Sequence, residues 1–145
     1  MINRVFDMKA EIYNTLPEEA HVIRNTVFIE EQGFEKEFDS IDAQAAHILL
    51  YDSNLPAATC RIFWDNDMNS HVLGRLAVLK EYRGRGLGAA VVKEALDYVK
   101  SAGGKQLMLH SQCRAAGFYE RLGFTAFGDI GYDEGCPHIW MKKEL

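Results

Sequence analysis

The sequence lacks the features that mark disulfide-stabilised, zinc-binding or membrane-spanning proteins. Its three cysteines, Cys60, Cys113 and Cys136, are an odd number without a Cys-x-x-Cys spacing, so they indicate neither a disulfide framework nor a zinc site. No apolar run approaches the roughly 20 residues that a transmembrane helix needs. The N-terminal residues also lack the long apolar core of a signal peptide. We therefore expect a cytoplasmic protein with no metal and no membrane partner.

An excess of positive charge is also missing. The chain has 16 Lys and Arg against 21 Asp and Glu, which gives a formal net charge of −5. Domains that bind nucleic acid normally carry a basic face, so the composition argues against that partner. The hydrophobic fraction of 48% is ordinary for a globular protein. A chain of this length buries a core without covalent staples, and we expect one domain over residues 1–145.

Apolar periodicity and turn residues predict the order β-α-β-β-β-α-β-α-β-β. A capping box, Thr15-x-x-Glu18, is predicted to open the first helix, which should run to about Glu31. Gly103-Gly104 and Gly123 are predicted to end the second and third helices. This order favours an α+β architecture, a mixed central β-sheet flanked by helices. The predicted strands are about 6–12, 46–51, 57–64, 72–79, 106–109, 124–130 and 138–142, and the later helices about 87–100 and 114–122.

A glycine-rich turn between a strand and a helix is the most informative feature. Gly84, Gly86 and Gly88 follow the strand 72–79 and open the second helix. Glycines let backbone N–H groups approach a ligand without a Cβ in the way. The first N–H groups of the helix and the positive end of its dipole point to the same place. The segment therefore predicts an anion site, most simply for a pyrophosphate.

Two common phosphate-binding motifs fit this turn poorly. A Walker A loop needs Lys and Ser or Thr after its last glycine, whereas Ala89-Ala90 follow Gly88. Residues 84–89 do satisfy the dinucleotide pattern G-x-G-x-x-G/A. That pattern also needs an acidic residue after the next strand, where this chain has His110-Ser111-Gln112. A doubly wound dinucleotide fold is therefore disfavoured.

A third motif fits better. Arg83-x-x-Gly86-x-Gly88 resembles the R/Q-x-x-G-x-G/A loop of the GNAT N-acetyltransferase superfamily. Residues 115–124, AAGFYERLGF, resemble the helix and turn of the same superfamily, at the expected distance from the loop. His110-Ser111-Gln112 and Pro137-His138-Ile139 look most like an uncharacterised bacterial branch. The resemblance implies the acyl-CoA N-acyltransferase (GNAT) fold.

The resemblance also implies a function and a cofactor site. The expected activity is direct transfer of an acetyl group from acetyl-CoA to a primary amine of a small molecule or a peptide. A homodimer is compatible with it. A backbone N–H near Leu76, Ala77 or Val78 would hold the oxyanion, and the longer side chain of Gln112 stands where many relatives have Asn. The residues that the resemblance to the superfamily places against CoA are Leu76, Ala77, Val78, Arg83, Gly84, Arg85, Gly86, Leu87, Gly88, Gln112, Ala115, Phe118 and Tyr119.

The resemblance further implies two catalytic residues. Tyr119 would protonate the departing thiolate, although a core aromatic that only packs against CoA is the alternative. Glu31 is the first choice for the base, because residues 28–33, FIEEQG, look like a V-F-x-x-E-Q segment of one bacterial branch. A water under a more distant carboxylate or His47 remains open. Glu31 belongs to an acidic run that either attracts a cationic amine or is only a solvated surface: Glu30, Glu31, Glu35, Glu37, Asp39 and Asp42.

Other hypotheses remain at this stage. A CoA-binding module without turnover would keep the same loop. The pattern Arg24, Val27, Phe28, Glu31, Asp39, Asp42 is also similar to acyl-homoserine-lactone synthases, which share the fold. His110 and His138 are expected to be buried core imidazoles rather than catalytic groups.

Overall fold

The computed structural model describes residues 7–145, so Phe6 of the predicted first strand lies outside the described residues. This part of the chain divides into two compact units: one takes the residues up to Arg61 together with Arg75–Glu94, and the other takes Ile62–Gly74 and Ala95–Leu145. The single domain therefore stays a prediction. No helix in the described range is long and apolar enough to cross a membrane.

In chain order the regular elements are β1 (Met8–Tyr13), α1 (Glu18–Arg24), a π-helix (Asn25–Glu31), a 3₁₀ turn (Ser40–Ala43), β2 (Ala46–Asp52), β3 (Leu55–Asp65), β4 (Ser70–Val78), a 3₁₀ turn (Lys80–Tyr82), α2 (Leu87–Ser101), β5 (Gln106–Gln112), a 3₁₀ turn (Cys113–Ala115), α3 (Ala116–Arg121), β6 (Thr125–Asp133) and β7 (Cys136–Glu144).

The seven strands form one mixed sheet in the order β1-β2-β3-β4-β5-β7-β6. β1 and β2 are antiparallel, with Met8 opposite Asp52. β4 and β5 are parallel, with Val72 opposite Met108. β7 is antiparallel to both of its neighbours, β5 and β6. The mixed sheet with helices confirms the predicted α+β fold and excludes a doubly wound sheet.

The second helix follows its sequence pattern closely. Leu87, Val91, Ala95 and Val99 recur at i, i+4, i+8 and i+12, and all four are buried. α2 ends at Ser101, and Gly103 takes the left-handed conformation with φ of 82° that helix ends favour. Gly123, after α3, has φ of 94°. The predicted helix stops are therefore confirmed.

The first helix departs from its prediction in two ways. Pro17 occupies the N-cap position without a side-chain hydrogen bond, so the capping box predicted from Thr15 and Glu18 is wrong. The helix does continue to Glu31, but its second half is a π-helix. There the N–H of Gln32 donates to the carbonyl of Val27, five residues back, at 3.2 Å. π-Helical turns are rare and occur frequently at functional sites.

A buried arginine at the end of α1 holds the acidic segment. Arg24 is 1% exposed and donates through Nη1 and Nη2 to the two carboxylate oxygens of Asp42, at 2.8 and 3.1 Å. Its Nε donates to Glu37 Oε1 at 3.3 Å, and Nη2 also reaches the Glu37 carbonyl at 3.1 Å. The ring of Phe38 lies 4.8 Å from the guanidinium carbon, in cation–π range. Arg24 therefore joins the helix to a segment with little regular structure.

Two further arginines complete this network. Arg61 donates to Asp39 at 2.6 Å and to Asp42 at 3.0 Å. Arg75 contacts Glu37 at 2.8 Å and Asp39 at 3.4 Å. We call the six residues the arginine–carboxylate network: Arg24, Arg61, Arg75, Glu37, Asp39 and Asp42. It contains as many cations as carboxylates, so half of the acidic run is neutralised by arginines from other elements.

The network shifts the pKa values of its carboxylates in opposite directions. Burial raises the pKa of Glu37 to about 7, although Arg75 and Arg24 act against this shift. Burial alone would also raise the pKa of Asp42, but the hydrogen bonds from Arg24 and Arg61 outweigh it and lower that pKa to about 2. Asp42 is therefore the fixed anion of the network, and Glu37 is the group that titrates near neutral pH.

Removing the central arginine should strongly destabilise the protein. Arg24→Met leaves the buried carboxylates of Glu37 and Asp42 without their shared cation, and breaking a buried pair in this way costs about 3–5 kcal/mol. Urea unfolding measures the loss. Arg121→Met is the control, because Arg121 is exposed on α3 and its replacement should change the free energy of unfolding by under about 0.5 kcal/mol. Similar losses in the two variants would contradict a structural role for the network.

Glu37 should also make the stability depend on pH. Between about pH 4.5 and 7 the folded protein keeps the Glu37 proton while the unfolded chain releases it. The folded state then binds more protons, so this contribution is present below about pH 4.5 and is lost as the pH rises through about 7. Glu37→Gln does not titrate. We expect its free energy of unfolding, relative to wild type, to rise across that window; a constant or falling difference would contradict the shift.

Candidate functional site

The glycine turn has the backbone that its sequence predicts. Residues 83–86 form an exposed turn between the 3₁₀ turn at Lys80–Tyr82 and α2. Gly84 and Gly86 have φ of 76° and 83°, in the left-handed region that side chains other than glycine rarely adopt. The carbonyl of Gly86 accepts from the N–H of Ala90 at 3.1 Å, so Gly86 directly precedes the helix. The N–H groups of the first helical turn therefore begin at the next residue, Leu87.

Packing against other protein atoms does not explain why positions 84 and 86 are glycine. A Cβ built on Gly84 or on Gly86 meets nothing within 4 Å. The requirement comes from the backbone conformation and from whatever ligand approaches the exposed turn. An open turn with left-handed glycines, followed by the first amides of a 15-residue helix, is chemically suited to an anion.

β4, which leads to this turn, is irregular where the resemblance implies contact with CoA. Arg75 has φ of 53°, an uncommon conformation for a residue with a side chain, and the alternation of buried and half-buried positions breaks at Leu73. Ala77 is 2% exposed and belongs to an apolar cluster of the first unit with Val27 and Phe28. Leu76 and Val78 are half-buried.

Arg83 and Glu31 lie against each other. Arg83 Nη1 donates to Glu31 Oε2 at 2.9 Å, and Nη2 donates to Oε1 at 3.1 Å. Arg83 Nε donates to the carbonyl of Val78 at 2.9 Å. Both side chains of the ion pair are partly exposed. The structure thus brings together the predicted phosphate-binding cation and the predicted base, which are 52 residues apart in the sequence.

Tyr119 lies in the second unit, on α3. It is 8% exposed, and its ring packs edge-on against Phe118 at 5.0 Å and Phe124 at 5.9 Å between centroids. Its carbonyl accepts from the N–H groups of Leu122 and Phe124, at 3.0 and 3.1 Å. Its backbone and ring are therefore both held in place. Of the other residues predicted here, Ala115 and Phe118 are half-buried, and the Gln112 side-chain oxygen accepts from Arg114 at 2.7 Å.

The histidines divide into two kinds. His47 is 1% exposed, and its Nε2 donates to the carbonyl of Asp42 at 2.9 Å, which indicates a structural role beside the network. His138 is buried as expected, and its Nδ1 donates to the carbonyl of Cys136 at 2.9 Å. His110 is exposed, so its predicted burial in the core is wrong. Its two neighbours in β5, Leu109 and Ser111, point to the opposite face of the sheet and are both buried.

His110 instead forms part of a half-exposed aromatic surface in the second unit. Its ring centroid lies 4.8 Å from that of Trp140 and 4.9 Å from that of His138. Partial desolvation of the exposed ring by its neighbours, and secondarily the charge of His138, lowers the pKa of His110, so its neutral form is favoured. The sequence patterns did not predict this cluster. It could have been found only from the register of β5 against β7, which places Trp140 directly opposite His110.

The residues most important for the electrostatics of the first unit were also missed as a group. Arg24 appears only in the pattern similar to acyl-homoserine-lactone synthases, Arg61 and Arg75 belong to no motif, and only the structure places the three arginines on Glu37, Asp39 and Asp42. Over residues 7–145, no three His, Cys, Asp or Glu side chains are grouped so as to hold a metal ion.

Comparison with known proteins relates this geometry to a family. The family model described as "Acetyltransferase (GNAT) domain" matches residues 14–145. A protein of Bacillus subtilis (strain 168) that is provisionally named an acetyltransferase is 38% identical over 130 residues, covering 86% of this chain and 87% of that protein. The crystal structure of a provisionally named N-acetyltransferase from Lactobacillus plantarum has a TM-score of 0.86 at 29% identity, covering 95% of this chain and 98% of that one.

A solved structure at lower identity agrees in fold. An acyl-CoA N-acyltransferase from Pseudomonas aeruginosa has a TM-score of 0.80 at 23% identity and covers 96% of this chain and 99% of that chain. The mixed sheet, the glycine turn before α2 and the matched family model over nearly the whole chain agree with one another. The chain belongs to the GNAT acetyltransferase family, whose members generally transfer acyl groups from acyl-CoA.

Proposed function

We propose that this protein is an acetyl-CoA-dependent N-acetyltransferase that moves an acetyl group directly to a primary amine of a small molecule or a peptide. The observation that carries the proposal is the exposed turn with left-handed Gly84 and Gly86 directly before α2. Its backbone amides suit a pyrophosphate, and the family supplies the acyl-CoA chemistry.

The reaction needs positioning more than covalent assistance. A neutral amine attacks the thioester carbonyl, a tetrahedral oxyanion forms, and the CoA thiolate leaves as the amide bond is completed. Holding the two reactants side by side supplies about 7–11 kcal/mol in well-oriented intramolecular models. The remaining tasks are to stabilise the oxyanion, to remove the amine proton and to protonate the thiolate.

We assign stabilisation of the oxyanion to the end of β4. The left-handed Arg75 interrupts the strand one residue before Leu76, which changes how the following backbone groups are presented. The bond from Arg83 to the Val78 carbonyl occupies an acceptor and no backbone donor, so the candidates are the N–H groups of Leu76, Ala77 and Val78. In this role they bind the pantetheine arm as a neighbouring strand would, and one N–H faces the oxyanion.

We assign thiolate protonation to Tyr119. A proton donor must be held within hydrogen-bonding reach of the sulfur, and packing against Phe118 and Phe124 restricts the ring. The alternative is that the same ring only packs against the cofactor. Replacing the hydroxyl by hydrogen separates the two roles, because the shape of the ring is kept.

The acceptor cannot be inferred from the acidic run as a whole. Glu37, Asp39 and Asp42 are balanced by three arginines, and Glu31 is paired with Arg83. Attraction of a cationic amine therefore depends on the three carboxylates outside the network, Glu30, Glu31 and Glu35, rather than on six free carboxylates. Either Glu31 or a water next to it removes the amine proton.

Replacement of Gly86 should abolish most CoA binding. In Gly86→Val a side chain must adopt a φ of 83°, which costs of the order of 1–3 kcal/mol or displaces the turn, and the Cβ stands where the pyrophosphate approaches. We expect the dissociation constant for CoA, measured by calorimetry, to rise at least about tenfold. Gly135→Val is the matched control, because Gly135 has φ of 78° and equally open surroundings outside the turn. Unchanged affinity in folded Gly86→Val would refute the assignment.

Tyr119→Phe should lower turnover without loss of cofactor. Removing a positioned proton donor reduces kcat by about 10²–10⁴-fold, while the dissociation constant for CoA should change little. Tyr98→Phe, a half-buried position on α2, controls for loss of a tyrosine hydroxyl. Near wild-type kcat in Tyr119→Phe would leave this residue only a packing role.

Thiol release tests the function itself. Wild-type protein is incubated with acetyl-CoA and a panel of polyamines, amino acids, aminosugars and lysine peptides, with and without S-adenosylmethionine. Release with an amine supports the proposal. Binding of CoA without release by any amine indicates a module without turnover, and release only with S-adenosylmethionine indicates an acyl-homoserine-lactone synthase.

A further inference from the structure

The guanidinium of Arg83 has few donors left for a phosphate. It carries five N–H groups, one on Nε and two on each Nη. Nε is bonded to the Val78 carbonyl, and one N–H of each Nη is bonded to Glu31. The two remaining N–H groups can each donate one hydrogen bond to a phosphate. The two edges of the guanidinium that could donate two parallel hydrogen bonds, Nη1–Nη2 and Nε–Nη, are already occupied. Two-point binding of a phosphate, the stronger mode for arginine, requires release of Glu31 or of the Val78 carbonyl.

Glu31 is the partner that a phosphate displaces more readily. Its ion pair with Arg83 is partly exposed on both sides, and such pairs contribute little because water solvates the separated charges. The Val78 carbonyl, in contrast, has no charge of its own to be repelled by the phosphate. A pyrophosphate at the glycine turn both attracts Arg83 and repels the Glu31 carboxylate.

Release changes what Glu31 can do. While it is paired, both of its carboxylate oxygens accept from Arg83, so neither is directed at an amine. Once released, the carboxylate is an unpaired anion at the end of the π-helix Asn25–Glu31. It is then available to a cationic amine or to the water that takes the amine proton.

We propose that the Arg83–Glu31 pair is a switch by which the cofactor prepares the acceptor site. Without cofactor, Arg83 neutralises Glu31; with the pyrophosphate bound at residues 83–88, Arg83 turns to the phosphate and frees the Glu31 carboxylate. Binding of CoA and of a cationic amine is therefore positively coupled. This inference rests on the proposed function, since it takes CoA as the ligand of the glycine turn.

Linkage gives the sign of the expected effects. If Glu31 competes with the pyrophosphate for Arg83, removing the Glu31 charge makes CoA bind more tightly. An exposed ion pair of this kind corresponds to a change of about two- to fivefold in the dissociation constant. The same variant loses the freed carboxylate, so its kcat/KM for a cationic amine falls. A residue with only a structural role would not move the two quantities in opposite directions.

The experiment is a double-variant cycle on CoA affinity. Calorimetry at low salt compares wild type, Glu31→Gln, Arg83→Met and the combined variant, with Glu30→Gln as the neighbouring exposed control. We expect Glu31→Gln to tighten CoA binding about two- to fivefold, Glu30→Gln to leave it unchanged, and Glu31→Gln to have a clearly smaller effect in the Arg83→Met background. Steady-state kinetics with the best amine of the panel should show the fall in kcat/KM for Glu31→Gln.

Two other results with Glu31→Gln would contradict the switch. Unchanged or weaker CoA binding in Glu31→Gln overturns the switch, because Glu31 then does not compete for Arg83. The same gain in the Arg83→Met background also overturns it, since Glu31 would then act by direct repulsion of the phosphate. Absence of CoA binding by wild-type protein instead refutes the proposed function. Urea midpoints of all variants establish that they are folded.

Discussion

The arginine–carboxylate network is the interaction on which the first unit depends. The segment from Glu35 to Gln44 contains one short 3₁₀ turn, so backbone hydrogen bonding cannot hold it in place. Arg24, Arg61 and Arg75 hold it through side chains, and two of them are almost completely buried. A buried charge without its partner costs several kcal/mol, so the segment has few alternative positions that keep every charge paired. The paired charges of the network therefore fix the geometry of this segment more than they add to the free energy of unfolding.

The network also determines which charges remain available for chemistry. Because it uses Glu37, Asp39 and Asp42, it removes half of the acidic run from any role in attracting a cation. The Arg83–Glu31 pair is more exposed than the Arg24–Asp42 pair at the centre of the network, and water can replace either partner at little cost. A set of charges with a buried centre thus lies in the same unit as an exposed pair that a ligand can separate. Only the exposed pair is suited to respond to binding.

Three unusual backbone conformations lie on the elements to which the proposed function assigns the reaction. The π-helix ends at Glu31, the left-handed Arg75 precedes Leu76, and the left-handed glycines precede α2. Such conformations persist only where the surrounding structure imposes them, and they are frequent at functional sites. For Arg75 the surrounding contacts are visible, since its guanidinium is held by Glu37 and Asp39. The network and the distortion of β4 are therefore parts of one arrangement.

The sequence by itself determined the features that depend on neighbouring residues. It predicted the order of elements, the buried face of α2, the ends of the helices at Gly103 and Gly123, and the family, because periodicity, glycine conformation and motif spacing are local. It failed at the start of α1, where the Thr15–Glu18 pattern does not form a cap and Pro17 takes the N-cap position. Only the tertiary structure decided which side chains meet. Arg83 lies 52 residues from Glu31, and Arg61 lies 22 from Asp39, so no pattern of adjacent residues records these pairs. The exposure of His110 beside Trp140 was decided in the same way, by the register of β5 against β7. Charge pairing follows from how strands and helices pack, which a linear pattern does not specify.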